Sequence, residues 1–158
     1  MAEPADAAAL ASTEAFIDDW LRRQQIENSL IAAVDRDPET PRRWFVRVTG
    51  EEKDVFTIRF HLKQRTLAYE TYVMPAPEEN HAQFYAHLLE RNLHLFGGAF
   101  AIGEEGAIFL RGATNNELIA SGDGAAEDEL DRVLGSMYIW VEQYFRPALR
   151  IGYASKFS

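Results

Sequence analysis

Hydrophobic residues recur along this chain with two different periods, and the switches between them lay out its elements. Phe16, Ile17, Trp20 and Leu21 share one face at helical spacing, while Asp18, Asp19, Arg22 and Arg23 turn mostly away. This predicts a helix from Ser12 or Thr13 to about Asn28, ending or bending where Ile26 and Leu30 leave the stripe. Residues 1–11, rich in alanine and holding Pro4, are expected to form a flexible arm. Residues 35–42 carry Pro38 and Pro41 among charged residues and read as a surface loop.

Period two follows. Trp44, Val46 and Val48 point one way and Arg47 and Thr49 the other; Phe56, Ile58, Phe60 and Leu62 oppose Thr57, Arg59, His61 and Lys63. Leu67, Tyr69, Thr71 and Val73 continue the alternation less cleanly. One polar face on each stretch, with connections of hairpin length, predicts a three-stranded antiparallel meander covered on one side.

Pro75-Ala-Pro77 ends the meander and opens a second helix, with Glu78 and Glu79 expected in its first turn. Phe84, Tyr85, Leu88, Leu89, Leu93, Leu95 and Phe96 then cover an arc of about 180° before Gly97-Gly98 stops the helix. Two short strands are predicted near Ala99–Ile102 and Ala107–Arg111, joined by Gly103-Glu-Glu-Gly106. Residues 114–124 are polar, with room for one helical turn at 117–120. A final helix over 126–146 gathers Leu130, Val133, Leu134, Met137, Trp140, Val141, Tyr144 and Phe145 on one side, and Pro147 ends or kinks it. The predicted order is α-βββ-α-ββ-α: an α+β fold with a five-stranded antiparallel sheet packed by helices. One domain is expected over residues 1–158, with 147–158 as a C-terminal tail.

Composition narrows the function more than the fold. The 158 residues contain no cysteine, which removes disulfide frameworks, cysteine-based metal sites and a thiol nucleophile. The formal net charge is −9, which argues against nucleic acid as a partner. No apolar run approaches the roughly 18 residues needed to span a bilayer, and the N-terminus begins with acids instead of a basic leader. A cytoplasmic location without membrane contact is the resulting expectation.

Candidate chemistry is sparse. His87, Glu90 and His94 stack along the second helix as weak candidate metal ligands, but their spacing is not that of a His-Glu-x-x-His site and they lie opposite the apolar arc. A solvated polar face explains them more simply, so no metal is expected. Glu127, Asp128, Glu129 and Asp131 open the last helix, where unsatisfied N–H groups favour acids. Gly122-Asp-Gly124 lacks the later glycine and the lysine of a phosphate loop, and no Gly-x-Ser-x-Gly elbow exists. No catalytic residue and no cofactor are expected, and the chain reads as a non-enzyme.

Two features ask for more. Asn92 falls inside the apolar arc of the second helix, where a buried amide must find partners or cost a few kcal/mol. Backbone groups of the reversal after Gly97, or of a neighbouring strand, are its expected partners. The arc is also wider than one sheet face requires, so cover from another helix or from a second subunit is expected. The aromatic tail at Tyr153 and Phe157 either docks on the body or meets a partner.

From Trp44 through Gly152 the sequence resembles the YbjN family of bacterial sensory transduction regulators. The segments that carry this are Trp44-Phe-Val-Arg-Val-Thr-Gly-Glu-Glu-Lys53, Arg65-Thr-Leu-Ala-Tyr-Glu-Thr-Tyr-Val-Met-Pro75, Pro77-Glu-Glu-Asn80, Tyr85-Ala-His-Leu-Leu-Glu-Arg-Asn92 and Glu129-Leu-Asp-Arg-Val-Leu-Gly135. Trp44, Pro77, Glu79, Asn80 and Asn92 are its structural markers. The resemblance implies a fold like that of type III secretion chaperones, which dimerises and binds other proteins through its sheet and helices, without cofactor or catalytic residues. The expected function is a protein-binding regulator or chaperone-like adaptor. Its partner is a protein, with a homodimer as a further expectation. The alternative is a sensor of a small ligand or metal, using the sheet concavity or the His87, Glu90 and His94 face.

Overall fold

The computed structural model describes residues 5–157. A first helix, α1 (Ala7–Glu27), leads into four consecutive strands: β1 (Ile31–Arg36), β2 (Arg43–Thr49), β3 (Val55–Leu62) and β4 (Thr66–Met74). Helix α2 (His81–Asn92) follows, then β5 (Ala99–Ile102), a 3₁₀ turn at Glu104–Gly106, and β6 (Ile108–Asn115). One turn of helix, α3 (Glu117–Ala120), precedes the long α4 (Gly124–Gly152) and a closing 3₁₀ turn at Ala154–Lys156. The strands form one antiparallel sheet in the order β1-β2-β3-β4-β6-β5. Neighbours in sequence therefore pair, except that the chain crosses to the far edge through α2 and returns as β6 beside β4.

Alternation assigns the two sheet faces. Trp44, Val46, Val48, Ile58, Phe60, Leu67 and Leu110 are buried in one cluster with Ile17, Trp20 and Leu21 of α1 and Leu130, Val133, Met137 and Val141 of α4. Arg47, Thr57 and Arg111 are exposed, and Arg59, His61 and Glu70 half-buried, on the opposite side, which no helix among the described residues covers. Period two predicts this one-sided burial, and it holds along β2, β3 and β4.

The sheet has six strands instead of the five expected. The extra strand, β1, was hidden because Ile-Ala-Ala-Val-Asp-Arg does not alternate, and a register shift between Ile31 and Ala33 breaks its period. The loop expected at 35–42 is accordingly shorter. The arm expected over residues 1–11 also needs correcting. Residues 1–4 lie outside the described residues, but residues 7–11 are already α1, capped by the Asp6 carboxylate, which accepts from the Ala9 N–H at 2.7 Å.

The second helix is shorter than its apolar arc. It begins at His81, so Glu78 and Glu79 precede it instead of filling its first turn, and Leu93, Leu95 and Phe96 lie beyond its end. The last helix is longer, running through Pro147 to Gly152. Pro147 and Gln143 are both exposed, so the carbonyl that the missing N–H leaves free faces water.

The Pro77–Asn80 marker segment explains where α4 ends. The Glu78 and Glu79 N–H groups donate to the Gly152 carbonyl at 3.0 and 3.1 Å, and the Asn80 amide donates to the Ile151 carbonyl at 2.9 Å. Tyr153 donates to the Ala76 carbonyl at 2.6 Å, and Lys156 pairs with Glu78 at 3.0 Å. Carbonyls that a helix C-terminus leaves unsatisfied are thus met by the segment before α2. The approach is close: a Cβ on Gly152 would stand 2.9 Å from the Pro77 side chain and 3.0 Å from the Phe84 ring. The aromatic tail docks through Tyr153, which is buried, while Phe157 stays exposed.

Candidate functional site

Helix α2 and the edge strand β5 enclose an apolar groove of about 270 Å³, lined by Tyr85, Leu88, Leu89, Phe100, Ile102 and Ile108 together with Asn92 and Ala101. Leu88 turns into the core, but Leu89 is 68% exposed, Leu93 83%, Phe96 76% and Ile102 62%. The wide arc of the second helix is therefore half unmet. The cover expected from another element is absent on this side within the described residues.

Asn92 sets the groove's geometry. Its amide accepts from the Phe100 N–H at 2.7 Å and donates to the Phe100 carbonyl at 3.2 Å. These are the two groups that β5, paired only with β6, would otherwise show at its free edge. A side chain thus stands in for a neighbouring strand. Exposed edges invite pairing with other chains, and this one is occupied at Phe100. The partner is a neighbouring strand, one of the two expected from sequence.

Beneath the reversal after α2 lies a polar cluster that sequence reasoning missed. Glu129 accepts from Arg132 at 2.7 and 2.9 Å and from the Thr114 hydroxyl, while Tyr69 donates to the Gly97 carbonyl. Hydrogen bonds from Arg132 hold the Glu129 carboxyl below its usual range, against the opposing effect of burial, and the same pair raises Arg132. The Arg132 guanidinium also stacks 5.2 Å from the Phe96 ring, fixing one wall of the exposed patch. Gly112 is required here, since a Cβ would stand 2.0 Å from the Gly97 carbonyl oxygen. Glu129 and Arg132 lie three apart on one helix, the only sequence signal for this cluster. Tyr69 is 2% exposed with its hydroxyl already committed to Gly97, so the cluster braces the reversal after α2.

The other marked residues are placed as follows. Trp44 is fully buried and donates to Asp18 at 3.1 Å, with Arg36 stacked 5.0 Å above its ring. Glu79 accepts from the Ser155 N–H, completing the Pro77–Asn80 attachment of α4. His87, Glu90 and His94 do not converge: His94 lies past the end of α2, and no group of three His, Cys, Asp or Glu side chains among the described residues is placed to share an ion. His87 is half-buried instead of solvated, and burial, followed by the Arg91 charge, pushes its pKa down. The acids at the start of α4 divide their work. Asp123 caps the helix, Glu127 pairs with Arg23 at 2.9 Å, and Asp131 accepts from Trp20 at 2.9 Å. A second concavity, beside the end of α1, has Asn28 and Asp131 in its wall, but both make bonds within the fold. No described helix is long and apolar enough to cross a membrane.

Comparison with known proteins adds a family. Residues 15–150 match the family described as YbjN, "Putative bacterial sensory transduction regulator". An uncharacterized protein of Mycobacterium leprae (strain TN) is 32% identical over 118 residues, covering 75% of this chain and 61% of that protein. An uncharacterized protein of Mycobacterium tuberculosis (strain ATCC 25618 / H37Rv) is 31% identical over 115 residues, covering 73% and 60%. The chain therefore spans about 60% of the length of the curated relatives it matches.

Proposed function

The chain belongs to the YbjN family, and from that premise we propose that it is a non-enzymatic, protein-binding regulator or chaperone-like adaptor. Its α2–β5 groove receives an apolar segment of a partner protein. One observation carries this reading: Leu89 and Ile102 stand exposed in the lining of a groove whose only amide side chain, Asn92, is already committed to Phe100, and exposed Leu93 and Phe96 follow at the end of α2. Clustered exposed apolar residues of this kind mark interaction sites. A small-molecule site ordinarily offers roughly 300–1,000 Å³ and a few convergent polar groups; this groove stands at the lower edge of that size and lacks the convergent polar groups. Because Asn92 occupies the strand edge at Phe100, the partner inserts side chains and does not extend the sheet.

The test is capture from the native cell extract by the wild-type chain and by Leu89→Asp/Ile102→Asp, followed by photocrosslinking from position 89 to locate the contact. A reproducible protein, crosslinked through an apolar segment and lost with the double variant, is the expected result. A stoichiometric small molecule or metal in native mass spectrometry, with no protein captured, would overturn the reading in favour of a sensor.

A further inference from the structure

The uncovered face of the sheet has the opposite charge character to the molecule as a whole. β2 and β3 pair so that Arg43 lies opposite His61 and Phe45 opposite Arg59, and β4 and β6 place Glu70 opposite Arg111. Lys63, just past β3, lines the same shallow depression as Arg59, His61, Glu70 and Arg111. Arg47 is exposed on this face too. The acids that answer these cations are few: Asp35 on β1, Glu70 at the centre, Asp37 beside Arg43, and Glu104 in a concavity shared with Arg59 and Arg111 at the β5–β6 end. Neither Arg47 nor Lys63 has a carboxylate within ion-pair distance among the described residues.

We propose that the corner of this face around His61 docks a short acidic segment of a partner protein, whose carboxylates settle among Arg42, Arg43, Arg59 and Lys63. Glu70 already shows the recognition geometry: its carboxylate is bridged by Arg59 at 3.5 Å and Arg111 at 3.7 Å. A ligand carboxylate one strand nearer β2 meets more cations, with Asp37 on Arg43 and Glu70 on Arg59 as its competitors. The imidazole reports the same field, because burial and then the charges of Arg43, Lys63, Arg59 and Arg42 push its pKa down.

Size decides the class of anion. Three interstrand steps from β2 to β6 span about 15 Å, the length of four or five extended residues. At physiological salt the screening length is about 8 Å, so a segment confined to the corner feels local cations more than the net charge of −9. A long polyanion such as nucleic acid would run onto the acidic remainder of the surface. Charge complementarity therefore favours the acidic peptide. This inference is independent of the α2–β5 groove.

The probe is fluorescein-labelled hexaglutamate, followed by anisotropy at low and physiological salt. The wild-type chain is expected to bind, with affinity falling steeply as salt rises. Arg59→Gln/Lys63→Gln is expected to weaken binding at least about tenfold, and Glu70→Gln, which removes a competing carboxylate, to tighten it about threefold. Arg146→Gln/Arg150→Gln, a charge-matched change on exposed α4, and Leu89→Asp in the groove are expected to leave binding unchanged. Glu70 keeps Arg111 in the double variant, and a thermal melt confirms that the variant is folded. Saturating peptide should also raise the His61 pKa followed by NMR. No binding at low salt, equal loss in Arg146→Gln/Arg150→Gln, or an unmoved His61 would each overturn the proposal. Tighter binding of a six-nucleotide single strand through the same residues would overturn it in favour of nucleic acid.

Discussion

Helices α2 and α4 carry apolar stripes of similar sequence character, yet the fold uses them differently. Leu130, Val133, Leu134, Met137 and Val141 of α4 are all buried against the sheet and α1. On α2 only Phe84 and Leu88 are buried, while Leu89 stands in water and the arc continues past the helix end into exposed Leu93 and Phe96. The difference lies in what each helix has opposite it. α4 crosses the interior of the sheet, whereas α2 packs on the end of α4 with one side and on the short edge strand β5, which offers only Phe100 as a buried residue, with the other. Periodicity thus gives the direction of an apolar face and not the area available to cover it. The surplus on α2 is where interaction surface is to be sought.

The sharpest way to break this comparison is to truncate equivalent leucines on the two helices. Leu130→Ala is expected to cost about 2–5 kcal/mol, through lost burial plus the cavity left behind, and to lower Tm by roughly 5–15 °C. Leu89→Ala is expected to stay within about 0.5 kcal/mol of wild type. Equal losses in chemical denaturation would show that the α2 surface is covered after all. A somewhat smaller effect is expected from Gly152→Ala, where the new Cβ would crowd Pro77 and Phe84. Alanine is otherwise preferred in a helix by up to about 1 kcal/mol, so a net loss of about 1–3 kcal/mol would mean that the close approach dominates. Faster amide exchange at residues 78–80 should accompany it, and a stabilised variant would show that α4 does not depend on that attachment.

How much of this was legible in the sequence follows the same physics. The inward and outward rows of β2 and β3 read directly, because a strand covered on one side repeats every two residues. β1 did not, because a bulge interrupts that repeat. The Asn92 bond to a neighbouring strand was legible as a need: an amide within an apolar arc must find partners, and Phe100 supplies both. The groove was visible only as surplus arc, since exposure depends on which strand lies opposite α2. The basic corner was invisible, because its cations come from β2, β3 and the turn after β3 and meet only when the strands pair in register. Glu78 and Glu79 were misassigned for a related reason. They precede a helix in sequence, but in space they serve the end of a different helix.

Asn92 offers a smaller perturbation that separates stability from edge protection. Asn92→Ala removes two hydrogen bonds to Phe100 and is expected to cost about 1–2 kcal/mol. The freed N–H and C=O sit at a sheet edge, so the variant should also show faster exchange at Phe100 and a new tendency to self-associate in sedimentation. Loss of stability without either change would mean that the amide supports α2 and does not guard β5.

The smallest effect lies in the brace beneath the reversal after α2 and appears in slope more than in height. Glu129 is held below its ordinary pKa in the folded chain, so it binds protons less readily there than when unfolded. Its contribution is complete above the unfolded carboxyl value of about 4.3 and is lost as pH falls through the lower folded value. Glu129→Gln cannot titrate, so its stability should fall less steeply between pH 5 and 3, by one proton at most, from a lower starting point at neutral pH. Urea unfolding across that range checks this. An acid limb identical to wild type would mean that Arg132 gains nothing from the charge on Glu129, and that the reversal beside Phe96 is held by packing alone.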